Sequence, residues 1–184
     1  MLGHANRIIE PFDFGDALRL PLDERMQMCV SQVEERLTDR DLLDIFGVPP
    51  IPAGGATGAE LDKLRSAIGG FIPAEYASFL LNWRYLILHD GYRIWGLDHE
   101  GVSAGWPWLS DRHRIGHRYL VFGDYWRYAD GDQLMFDLDV PSTPVVVYLH
   151  EHGPLFEEYA PSFSLALWRM VSEWQLDDKE SRPA

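Results

Sequence analysis

From Tyr92 onward the hydrophobic period of this chain is two, and that period limits what the chain can fold into. "YRIWGL" (92–97), "RYLVFGDY" (118–125), "QLMFDLD" (133–139) and "PVVVYLHE" (144–151) are rich in β-branched and aromatic residues and are bounded by turn formers. "LFEEYA" (155–160) can supply a further edge strand. Strands joined by short polar turns cannot lie parallel, because a parallel crossover needs a dozen or more residues. The second half of the chain therefore predicts an antiparallel meander.

Helical periodicity brackets the meander. Met26, Val30, Val33 and Leu37 recur three and four apart, with charged residues elsewhere on the wheel. Thr38 can cap a second short helix carrying Leu42, Leu43, Ile45 and Phe46, which Gly47 would end. Thr57 with Glu60 forms a capping box ahead of Leu61, Leu64 and Ile68. "FIPAEYASFLLNW" (71–83) restarts a helix with Pro73 in its first turn and Tyr76, Phe79, Leu80 and Trp83 on one face. "RYLILH" (84–89) fits either a helix end or a strand. A last helix begins near Ser162 and aligns Phe163, Leu167, Met170, Val171 and Trp174.

Helices, an antiparallel sheet and a closing helix make an α+β fold, with N- and C-terminal helices packed on the sheet. "GVPPIPAGGATG" (47–58) holds too many prolines and glycines for a helix interior or central strand. It reads as a linker between a helical N-terminal extension (1–50) and the main domain (51–176). "DDKESRPA" (177–184) reads as a solvated tail.

The most suggestive chemistry is "ADGDQLMFDL" (129–138), three carboxylates around one glycine. An EF-hand loop needs a glycine at its sixth position and a glutamate at its twelfth. Here Gly131 follows Asp130 directly, and the twelfth residue is Pro141. Asp130-Gly131 instead suits a turn that requires positive φ, and Asp137 and Asp139 fall on one strand face, assigned to water.

The histidines are no more specific. "HRIGH" (113–117) lacks the glutamate of a zincin, and "HEH" (150–152) would need a further ligand such as His99 or Glu151, which nothing in the spacing supplies. No G-x-S-x-G turn occurs, and "GGATG" (54–58) lacks the lysine of a phosphate loop. Cys29 lies in an apolar helical pattern and reads as a buried thiol. No catalytic residue, metal site or cofactor is expected. The competing reading is a metal-assisted or acid–base hydrolase using His113, His117, His150 or His152.

Charge bears on partners. Lys plus Arg number 16 and Asp plus Glu 29, so the net charge is 16 − 29 = −13. Nucleic acid would be repelled and a basic protein attracted. The start shows no basic stretch followed by an apolar one, and no apolar run is long enough to span a bilayer, so a cytoplasmic protein without membrane contact is expected. Two aromatic, acidic loops, "GWPWLSDR" (105–112) and "GDYWRYADGD" (123–132), offer a candidate partner-binding surface: Trp106, Trp108, Asp124, Trp126, Asp130 and Asp132. Each tryptophan could equally cover the sheet edge as satellite core.

Several stretches resemble the SUKH superfamily. "LDKLRSAIGGFIPAEYASFLL" (61–81) looks like its opening pair of helices, with Ile72, Pro73, Tyr76, Phe79 and Leu80 in the pattern. "RIWGL" (93–97) is similar to its early strand. "YLVFGDYWRYADGDQLMFDL" (119–138) is similar to its hairpin, with Gly123, Gly131, Asp132 and Asp137 in place. "PVVVYLHEHGP" and "APSFSLALWRM" resemble its closing strand and helix. The usual N-G-G after the second helix is replaced by "NWRYLILHDG", and residues 1–50 fall outside the likeness. The resemblance implies an α+β domain with a twisted sheet of about six strands and a non-catalytic role. Bacterial members look like immunity proteins that bind and neutralise a toxin of a polymorphic or contact-dependent system; eukaryotic relatives resemble regulators of cell-wall assembly. A basic toxin is the implied partner, and a scaffold subunit is a further alternative.

Overall fold

The computed structural model describes residues 8–37, 49, 51–68, 70–89, 91–97, 103–104, 119–151 and 155–181. The fold is α+β. Among the described residues four α-helices, α1 (Leu22–Arg36), α2 (Gly58–Ala67), α3 (Ala74–Asn82) and α4 (Phe163–Ser181), accompany an open antiparallel sheet. Its strands are β1 (Leu86–His89), β2 (Tyr92–Ile94), β5 (Tyr119–Tyr125), β6 (Gln133–Asp137), β7 (Val145–Leu149) and β8 (Leu155–Ala160), in the spatial order β1-β2-β5-β6-β7-β8. A two-stranded ladder joins β3 (Gly96–Leu97) to β4 (Ser103–Ala104).

The ambiguous segment before Asp90 is thus a strand, β1, and the expected strand over 92–97 is split at Trp95 between two sheets. A Cβ at Gly96 would lie 1.8 Å from the Arg84 carbonyl oxygen, so only glycine lets this strand cross so close to the end of α3.

Period two places Leu120, Phe122, Leu134, Phe136, Val145 and Val147 in the core beneath the helices. The helices contribute Tyr76, Phe79 and Phe163, and the aromatic rings interlock. Phe122 and Phe136 stack with centroids 4.3 Å apart, and Tyr76 lies 5.0 Å from Phe163. The other sheet face differs from expectation. Val121, Met135, Val146 and Tyr148 form a second buried cluster there, with Trp95, Tyr119 and Phe156 against it. Asp137 on that face is buried too, and only Asp139 is exposed as expected. These strands are apolar on both faces, which period-two reading alone does not reveal.

Helix α1 packs into the core built on the sheet. Met26, Cys29 and Val33 of α1 belong to the same core cluster as the sheet. Buried Arg25 secures the contact: Nε donates to Ala17 O at 2.7 Å, Nη1 to Ser164 Oγ at 2.6 Å and Nη2 to Leu20 O at 3.0 Å. The arm before α1 is held as well, since the Ile8 and Ile9 amides donate to the Glu157 carboxylate at 3.0 and 2.9 Å. The short helix expected from Thr38 lies outside the described residues.

The capping box forms as expected, with Thr57 N donating to Glu60 Oε2 at 2.7 Å and Glu60 N to Thr57 Oγ1 at 3.3 Å. Arg84 Nη2 adds an ion pair to Glu60 Oε1 at 2.7 Å, which with the cap holds that carboxyl down to about 2. At the other terminus, α4 runs to Ser181 rather than ending before Asp177. The Asp177 carboxylate gains partners the sequence does not announce: the Tyr92 hydroxyl and Arg127 Nη1, the latter at 3.3 Å.

Burial pushes the Cys29 thiol up to about 12 from an ordinary value of 9.0, against the opposing pull of Arg25. The unfolded chain loses this proton first as pH rises, so the stability that burial confers is present below about pH 9 and declines between about 9 and 12. Native protein should react with a thiol reagent at least about a thousandfold more slowly than protein in denaturant. Equal rates would show that α1 is not docked as described.

Candidate partner-binding surface

The hairpin between β5 and β6 answers the question raised by residues 129–138. Gly131 takes φ +102°, so the stretch is a turn built on a left-handed glycine. Asp132 is 0% exposed. Its Oδ2 accepts from Ala129 N at 3.1 Å, and its Oδ1 accepts from His150 N at 3.0 Å and lies 3.0 Å from His150 Nδ1. The carboxylate thus closes its own turn and clamps it to the residue that follows β7.

Asp124 is likewise structural. It faces Arg93 across the β2–β5 ladder, pairing with Arg93 Nε at 2.8 Å and accepting from Trp95 Nε1 at 2.9 Å. Asp124 and Asp132 are buried and already accept from backbone amides, an indole and a guanidinium or lie against an imidazole, so neither is presented on the surface as expected. Trp126 is half-buried. Its backbone N donates to Gly91 O at 2.8 Å, and the Arg93 guanidinium lies 5.6 Å from its ring centroid. A Cβ at Gly91 would meet Trp126 Cβ at 2.6 Å. Asp130 alone of these four is exposed. Trp106 and Trp108 lie outside the described residues, as do His99, His113, His117 and His152. Among the described residues no group of three His, Cys, Asp or Glu side chains could hold a metal ion.

A buried polar network escaped the sequence reading. Arg169 and Glu173, one turn apart on α4, pair at 2.9 Å. Glu173 Oε2 accepts from the Tyr125 hydroxyl at 2.6 Å and the Tyr159 hydroxyl at 2.7 Å. Arg169 also donates to Tyr159 O at 3.1 Å and Glu10 O at 2.9 Å, and its guanidinium lies 4.4 Å from the Tyr159 ring centroid. Burial, then Glu173, raises the Tyr125 phenol, and burial with Tyr125 and Glu173 raises Tyr159, so both stay hydroxyl donors. The network joins α4, β5, β8 and the N-terminal arm. Its sequence signal was an i, i+4 charged pair inside the apolar stripe that carries Met170 and Trp174.

An apolar surface is exposed at the opposite end of β6. Phe71, Leu138, Val140, Pro141 and Thr143 line an open groove of about 340 Å³. Thr143 also borders a neighbouring pocket of about 210 Å³, walled by Pro73, Ala74, Phe136 and Phe163 and edged by Glu75.

Fold and surface together define an acidic α+β protein in which Asp124, Asp132 and Glu173 are tied up internally and an apolar groove faces outward. Comparison with protein-family models and with the curated proteins yields no match. Among the described residues no helix is long and apolar enough to cross a membrane.

Proposed function

We propose that this chain is a non-catalytic binding protein that captures and neutralises a basic protein, as an immunity protein does for the toxin of a bacterial polymorphic or contact-dependent system. The observation that carries the reading is how the cations are spent. Arg84, Arg93, Arg127 and Arg169 each face a carboxylate of the chain itself, and Arg25 is consumed by backbone carbonyls and Ser164. Among the described residues Glu10, Asp23, Glu24, Glu34, Glu35, Asp130, Glu151 and Glu158 remain exposed, and they outnumber the exposed cations Arg19, Arg36 and Lys63. Exposed acids of this kind, on a chain whose net charge is −13, can steer a cationic partner. The SUKH-like stretches agree with the same reading.

The test is co-expression with each effector encoded in neighbouring genes. Growth should be rescued only by the cognate pairing, and the purified pair should associate at least about tenfold faster at low than at physiological ionic strength. Failure to bind or neutralise any neighbouring effector would remove the toxin reading. Tight association that ignores salt would remove the electrostatic one.

A further inference from the structure

We propose that the groove at the β6–β7 turn is where the basic partner is anchored, by one apolar side chain of a segment carrying cations on both sides. This rests on the reading of a basic partner and adds where and how it is held.

The groove exposes what a folded chain ordinarily covers. Phe71 is 50% exposed and Val140 36%, and both border the same cavity. Apolar side chains gathered at one exposed site mark interaction surfaces more often than scattered ones do. A volume of about 340 Å³ sits at the small end of the ~300–1,000 Å³ range of ligand pockets, enough for one large side chain and its neighbours.

The groove is also fixed before any partner arrives. Its inner extension is walled by Phe136 and Phe163, both members of the main core. The turn that supplies Val140 and Thr143 is closed by Thr143 N donating to Val140 O at 2.8 Å, with Thr143 at φ +45°. Glu75 Oε2 accepts from Ser164 N at 2.8 Å, which ties α3 to the start of α4 beside the inner pocket. A preformed site loses less conformational freedom on binding.

Charge selects the occupant. Glu75 edges the inner pocket and exposed Asp139 adjoins Val140, while the segments that build the groove, residues 70–75, 136–144 and 160–163, carry no lysine or arginine. A second copy of this chain would bring its own net charge of −13 to an already acidic rim. Nucleic acids and anionic lipid surfaces are opposed in the same way. A cationic segment with a leucine- or phenylalanine-sized anchor meets both the apolar floor and the acidic rim.

The experiment titrates the full-length ¹⁵N-labelled protein with a short synthetic peptide, a leucine flanked on each side by arginine and lysine. Two control peptides replace the leucine by glycine or the cations by glutamate. Amide shifts should centre on Phe71, Leu138, Asp139 and Thr143. Each control peptide, and the exposed-site variants Phe71→Ser and Val140→Lys, should bind at least about tenfold more weakly while melting within a few degrees of the parent. Binding of the cationic peptides elsewhere, unaffected by Phe71→Ser or by loss of the leucine, would overturn the groove and leave the basic-partner reading standing. No binding of any cationic peptide anywhere would overturn both. Shifts at the same amides that grow with protein concentration alone would show that a second copy occupies the groove, and would overturn the proposal.

Discussion

Replacing Glu173 by alanine is expected to cost about 3–5 kcal/mol of unfolding free energy, the usual penalty for removing one partner of a buried ion pair. Arg169 is 4% exposed and Glu173 6%, so water cannot reach in to replace the lost carboxylate. The Tyr125 and Tyr159 hydroxyls lose their shared acceptor at the same time. Arg169 keeps the carbonyls of Tyr159 and Glu10, which soften the loss without neutralising its charge. Replacing both members, Glu173→Leu with Arg169→Met, should be less damaging than Glu173→Ala alone, because no buried charge is then stranded. Urea unfolding of the two variants checks this. A loss below about 1 kcal/mol for Glu173→Ala, or a double variant worse than the single one, would show that the pair is solvated and does not bind α4 to the sheet.

Much of the fold was legible because it is local. Period two found β5, β6, β7 and β8, and the Thr57–Glu60 spacing marked the start of α2. The stripe Phe163, Leu167, Met170, Val171 found α4. What was not legible depends on partners distant in the chain. Nothing near Asp177 says that Tyr92 and Arg127 will carry the helix past it. Nothing near Arg25 says that Ser164 will fix α1 to α4.

The acids of the hairpin teach the same lesson for the site. Sequence shows that Asp124 and Asp132 flank a turn, and it cannot show whether their lone pairs are free. Asp132 was open to a local reading, since its acceptance from Ala129 N spans three residues. Its capture of His150 spans eighteen. The groove proposed as the anchor site has no local pattern at all. It is assembled from Phe71 before α3, the β6–β7 turn and the first residues of α4, each an unremarkable loop when read alone. A surface made of several loops becomes visible only once the sheet has brought their ends together.

The segment read as a linker gives the second large effect, and here two alanines three positions apart should act with opposite sign. At Gly55 an added Cβ would lie 1.9 Å from Leu81 O, 2.3 Å from Leu81 C and 2.7 Å from Asn82 N. These are backbone atoms at the end of α3, and no rotamer can move them aside. Alanine there must push the segment off the helix, stretching the Ala56 N to Leu80 O bond of 2.7 Å and the reach of Arg84 Nη1 to Gly55 O at 3.3 Å. Overpacking of about 1–3 kcal/mol together with a weakened hydrogen bond puts the loss near 3 kcal/mol. For a chain of this size that lowers the melting midpoint by about 6–12 °C. Gly58, the first residue of α2, has nothing within 4 Å of its Cβ position and no positive φ. Alanine there restricts the unfolded chain and favours the helix, so it should stabilise by about 0.4–1 kcal/mol. Paired thermal melts of Gly55→Ala and Gly58→Ala decide whether residues 51–57 are docked or loose. A loose linker would tolerate both substitutions, whereas a docked one must reject the first and accept the second.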